Sequence, residues 1–286
     1  MSCAERCSWW WNVDRDVWLV LREALDVLDY LIEQSGGETD RERRLRNNIG
    51  QFESDVEGVF RAEGDAFAAE AASFPDGPVD PARVNNAVNV AVAAGSDDLR
   101  RAAERAAGEA WLIGAEDMAK RLNIDITFNL DDPAARAYIR RVGADLVTRV
   151  DDTTRSRLRQ IVLDGTNSGW NYNQIAQSII SEFGEMAVGK PQQHIDSRAH
   201  LIAVTELGNA FEDGSLGAAR RMAAMGLEME KKWLTVGDNR VSDGCRDNQA
   251  AGWIPIDRPF PSGHDRPLRF PGCRCTALYQ RKRSSV

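Results

Sequence analysis

Apolar residues recur at intervals of three and four along residues 13–225, and Gly, Pro or a capping residue punctuates each run. This spacing puts each run on one helical face, so the chain is committed to a mainly helical body. Val17, Leu21, Leu25, Leu28 and Ile32 share a face before Ser35-Gly36-Gly37 breaks the pattern. Thr39 with Glu42 three residues later carries the capping-box signature, in which two free backbone amides are satisfied reciprocally. The helix that starts there runs on through Leu45, Ile49, Phe52, Val56 and Val59, a 4-3-4-3 seam. Two such helices pack as an antiparallel hairpin, or offer the seam to another chain.

Phe74-Pro75-Asp76-Gly77-Pro78 is a break. Ala-rich sequence follows over residues 82–122, interrupted at Gly95-Ser96-Asp97, with Asp97 opening a new helix. Ile124 to Asn129 alternates apolar and polar, as a short strand or an extended connector does. Asp132-Pro133 pairs an N-cap with proline at the first helical position. Ile139, Val142, Leu146, Val150, Leu158 and Val162 mark the buried side of that helix, and Gly165 ends it. Another helix starts at Asn171 with a stripe from Tyr172 to Phe183, and Gly184 to Gln193 reads as a loop. A long helix is expected from Ile195 to Met225, stopped by Gly226.

The texture then changes. Lys231 to Val236 reads as a strand, Gly237-Asp238-Asn239 as a turn, Trp253 to Ile256 as a short extended piece and Thr276 to Gln280 as a closing strand. The expected fold class is mainly α (α+β): an elongated multi-helix body with a small C-terminal Cys-containing β/loop module. Its divisions are an N-terminal helical hairpin (1–75), a central helical body (76–226) and the module (227–286).

A formal charge of −8 argues against a surface that coats nucleic acid. Arg281-Lys282-Arg283 remains a candidate for local nucleic-acid contact, the alternative being a solubilising tail. No run of eighteen apolar residues and no export signal is present, so no membrane partner is expected and the compartment is a reducing cytoplasm, or something assembled there. Five cysteines, an odd number, do not make a disulfide framework under those conditions.

Three of them, Cys245, Cys273 and Cys275, lie in the module with His264 between. Cys₃His is a closed, structural zinc set, and a module this small gains from a metal crosslink. Alternate residues of a strand face opposite ways, so Cys273 and Cys275 converge only if the backbone bends, as Pro271-Gly272 allows. Without metal the same cysteines serve as small buried apolar residues. A zinc-dependent hydrolase would use Cys245, His264 and Glu206, yet the chain has only His194, His200 and His264 and no His-Glu-x-x-His. Glu206 otherwise ion-pairs or caps an amide inside the fold. Arg240 pairs with Asp238 or Glu206, or binds phosphate. Trp9-Trp10-Trp11 is either a docking anchor or a hydrophobic staple.

The order Arg198, Thr205-Glu206, Lys232-Trp233, Asp238-x-Arg240, Cys245, Gly252 and Cys273-x-Cys275 resembles that of the phage Mu F-like minor head proteins, the phage head morphogenesis family. The likeness covers about residues 130–280. It departs where Ser242 stands in place of the first cysteine of a C-x-x-C, and where Arg269-Phe270-Pro271-Gly272 precedes the final pair without a histidine. The resemblance implies a non-enzymatic minor capsid protein of a tailed phage or prophage that assists head assembly and DNA packaging or ejection. It implies the portal protein as partner, with the major capsid or scaffolding protein and DNA as further candidates. It places the protein in the virion, at the capsid interior or portal vertex, and in the host cytoplasm during assembly.

Overall fold

A computed structural model describes residues 39–188, 198–237, 241–270, 273 and 275–282. The expected helix at 13–33, the tryptophan run, Asp238, Arg240 and Arg283 lie outside the described residues. Among the described residues five long helices build the body: α1 (Asp40–Ala71), α2 (Pro81–Arg121), α3 (Pro133–Asn167), α4 (Tyr172–Val188) and α5 (Arg198–Ala224). The capping box of α1 is formed, with Glu42 N donating to Thr39 Oγ1 and Thr39 N donating to Glu42 Oε2. Asp132 caps α3 through its carboxylate and is followed by proline, as the sequence pattern requires, and Asp80 caps α2 in the same way.

The stripe Phe52, Val56, Val59, Phe60 and Phe67 of α1 is buried, and so are Val142, Leu146, Leu158 and Val162 of α3 and Ile175, Ile179 and Phe183 of α4. All belong to one apolar core that runs through the five helices. Burying each large side chain contributes about 1.5–3 kcal/mol, so this core dominates the stability of the body. Alanine-rich α2 packs against α1, α3 and α5. Its approach to α5 is close enough for backbones to touch: a Cβ on Gly114 would stand 2.1 Å from Phe211 O, and one on Gly214 2.0 Å from Trp111 O.

Three glycines expected to interrupt helices do not. α2 continues through Gly95-Ser96-Asp97, since Gly95 lies where Val59 and Glu63 of α1 press in, and Ser96 Oγ bonds Val92 O within the helix. α3 continues past Gly165 to Asn167, because that glycine accommodates Trp170 and Ile175. α4 runs through Gly184 to Val188. In each case the helix bears the intrinsic cost of one glycine, about 1 kcal/mol, against the packing or hydrogen bonding of a long element. Residues 124–129 form a connector, not a strand, with Ile126 N bonded to Ile124 O inside it. Among the described residues no helix is long and apolar enough to cross a membrane.

The module holds β1 (Met229–Leu234), α6 (Asp243–Ala250), β2 (Ile254–Pro255) and β3 (Thr276–Arg281). The strands form one antiparallel sheet in the order β2-β1-β3, with Lys231 opposite both Ile254 and Tyr279. Helix α6 was not anticipated from sequence. Met229, Ile256, Ala277 and Tyr279 join the core of the helical body. Trp233, Val241, Cys245, Ile254, Phe260, Cys273 and Cys275 make a second, smaller cluster. Lys231 is fully buried; its Nζ donates to Asp265 O at 2.9 Å and lies 5.2 Å from the centre of the Phe260 ring.

Candidate metal centre

The second cluster brings together three thiols from separate segments. Cys245 sits in the first turn of α6, and Cys273 and Cys275 lie just ahead of β3. Cys273 N donates to Phe270 O, and the two thiols converge instead of alternating. All three Sγ atoms lie within 4.8 Å of one another, and Cys245 Sγ is 3.9 Å from Cys273 Sγ. Thiolates about 2.3 Å from a tetrahedral zinc stand about 3.8 Å apart, so the donors fit such an ion. The thiols are free and their residues only 1, 7 and 8 % exposed.

Charge is distributed unevenly over the three. Hydrogen bonds from Cys273 and then Cys275 hold the Cys245 thiol well below its ordinary range, with Ser242 and Arg269 adding to the effect against burial. Cys273 and Cys275 are raised, chiefly by their bonds to Cys245. A bound cation would drive the protons off the thiols.

His264 does not belong to the group of metal-capable side chains that the three cysteines form. Its Nδ1 lies 3.1 Å from Ser262 Oγ and 3.0 Å from Ser262 O, and Ser262 in turn bonds Asn248 of α6. Glu206 is likewise not in the group. It lies on α5, where Arg149 Nη2 donates to its Oε1 at 3.1 Å, and burial first, then Arg149 in opposition, leaves its carboxyl raised. A cleft of about 440 Å³ lined by Tyr138, Arg149, Glu206, Asn209 and Arg266 runs beside it. The residues of the hydrolase alternative therefore occupy different environments: a sulfur cluster, a serine-bonded loop and an ion pair of the helical body.

The other described motif residues sit within the fold. Arg198 donates to Thr154 Oγ1 and Val150 O at 2.8 and 3.0 Å and lies over the Phe60 ring, its pKa lowered by burial to about 10. Nearby, Glu63 is raised to about 8 by burial and by Asp151, whose carboxylate accepts from Ser96 Oγ at 2.6 Å. Thr205 is buried on α5. Trp233 is fully buried edge-on to Phe260, with ring centres 5.1 Å apart. Gly252 has φ +67° just after α6, a conformation that favours glycine. Lys282 pairs with Glu228 at 3.1 Å, at the end of the strand that carries Arg281.

Sequence reasoning missed the groups that seat the module on the body. Glu212 of α5 accepts from Thr276 Oγ1 at 2.6 Å and Ala277 N at 3.2 Å, immediately after Cys275. Its burial raises its carboxyl to about 7. Arg266 binds Asp213 and Asn209 of α5, each at 3.1 Å, and Arg220 pairs with Asp265 at 2.9 Å. Nothing local in the sequence distinguishes these residues from ordinary surface charges.

Residues 156–278 match the family model described as phage Mu protein F like protein, a span that holds α4, α5, the three cysteines of the module and the first half of β3. No curated protein and no solved structure matches the chain.

Proposed function

We infer, with the membership of residues 156–278 in the phage Mu protein F like family as the premise, that this chain is a minor head protein of a tailed phage or prophage. The family points to head morphogenesis. In the finer reading the protein joins the portal or the inner capsid beside it, in the virion, and assists head assembly and the passage of DNA, without turnover of its own. The helical body supplies the surface for the portal protein, and the major capsid or scaffolding protein is a second partner. DNA contact through Arg281, Lys282 and Arg283 is an accessory role, which salt-dependent binding lost on neutralising the three would establish.

The observation that carries a structural role for the module is the burial of three converging sulfurs among Trp233, Val241, Ile254 and Phe260. Cys245, Cys273 and Cys275 would hold a zinc ion there, and the ion would crosslink α6 to the start of β3. His264, bonded to Ser262, is left as a loop residue. Co-expression with the portal protein of the same phage should yield a complex that persists through size-exclusion chromatography. Failure of the two to associate, with both folded, would remove the portal from this reading. Zinc analysis of the purified protein should give one ion per chain, lost in Cys273→Ser, with a lower melting temperature on chelation.

A further inference from the structure

We propose that Arg269 is the counter-charge of the sulfur site and that Gly244 is the gap that admits it. The inference rests on the metal reading above and goes further, to groups that touch a ligand without binding the ion.

Arg269 Nη1 lies 3.9 Å from Cys245 Sγ and 3.1 Å from Ser242 Oγ. Ser242 is the N-cap of α6, yet its side chain makes no capping bond. Its hydroxyl accepts from the guanidinium instead. A Cβ on Gly244 would stand 2.4 Å from Nη1, 2.6 Å from Cζ and 2.7 Å from Nη2 of Arg269. The guanidinium therefore lies directly over the backbone of residue 244, one position before Cys245, and any larger residue would push it off. Arg269 Nε is enclosed without a hydrogen-bond partner, and among the described residues no carboxylate pairs with this arginine.

A half-buried cation without an anion is costly, because it gives up water for nothing of opposite sign. Three thiolates around a divalent ion leave one net negative charge. A guanidinium against Cys245 balances it, and a charge-assisted contact to a ligand sulfur is the kind of outer contact that tunes metal affinity. Without the ion Arg269 meets one sulfur, Cys245; with it, the guanidinium balances the net charge of the whole site.

The test is Co²⁺ titration of the full chain, followed by thiolate-to-cobalt charge-transfer absorption and by competition with a chromophoric chelator. Wild type, Arg269→Gln, Arg269→Lys, Gly244→Ala and the Arg269→Gln/Gly244→Ala double variant are compared. Arg269→Gln and Gly244→Ala should each weaken binding about 10–100-fold, the range for loss of an outer contact. Adding Gly244→Ala to Arg269→Gln should weaken it no further, because the alanine displaces only what is already gone. Arg269→Lys should recover part of the loss. Thermal melting with and without chelator separates this from a general packing role: Arg269→Gln should lower the melting temperature more with metal bound than without it. Wild-type affinity in both single variants, or an equal loss of stability with and without metal, overturns the counter-charge. Absence of charge-transfer bands in wild type itself sinks the metal reading, and the counter-charge with it. Gly244→Ala keeps every ligand and suits a helix, so it decides the matter if Arg269→Gln does not fold.

Discussion

Glu212 does at the scale of one residue what the strand contacts alone do not. It offers both carboxylate oxygens to the first two residues of β3. Those residues follow Cys275 directly, so the side chain anchors the chain immediately after the last sulfur. Glu212→Ala should lower the unfolding free energy by about 2–4 kcal/mol in urea titrations, since it leaves a buried amide and hydroxyl without acceptors. Glu212→Gln, which keeps one acceptor oxygen, should lose less. Thr205-Glu206 stood out from sequence as part of an ordered series, whereas Glu212, six positions on, did not. Helical periodicity reveals which face a residue shares. It does not reveal that a carboxylate on that face will meet a strand some 65 positions away.

At the scale of the element, glycines separate into those that meet a neighbour and those that do not. Gly214→Ala places a methyl against Trp111 O and must push α5 off α2. A loss of about 3 kcal/mol or more is expected, at the upper end of overpacking costs. Gly50→Ala in α1, with nothing near the added carbon, should instead gain about 0.5–1 kcal/mol by helix propensity. Equal effects at the two positions in chemical denaturation would contradict the backbone contact between α2 and α5. The same distinction explains the misread boundaries. Asp132-Pro133 and Thr39 with Glu42 were legible because capping is local chemistry. Gly95 and Gly165 were not, because a glycine required by a neighbouring helix looks, in sequence, like a glycine that ends one. Helix α6 escaped notice for a related reason: it is only 8 residues long and too short to show a period.

Over the whole molecule, burial of acids among helices ties stability to pH. Glu63 of α1 is enclosed with Asp151 and Arg155 of α3 and Arg198 of α5, with Ser96 of α2 bonded to Asp151. Its carboxyl keeps its proton up to about 8 in the fold, against an ordinary value of 4.5. Between those values the folded chain binds more protons than the unfolded one, so this contribution is complete below 4.5 and lost as pH rises through about 8. Relative to Glu63→Gln, wild type should lose up to about 1.4 kcal/mol per pH unit across that window. A flat difference between the two in urea titrations at several pH values would show that Glu63 titrates normally. The change from helix to strand after Gly226 was legible in the sequence; the sharing of one core by Met229, Ala277 and Tyr279 with the helices was not, since β1 and β3 alternate as any half-buried strand does.

Lys231 gives that architecture a chemical signature. With its amine enclosed beneath Asp265 and Phe260, an acylating reagent should pass it by while modifying adjacent Lys232, whose side chain points the other way. Reaction at Lys231, followed peptide by peptide in a mass spectrometer, would therefore count the moments when the loop lifts from the sheet.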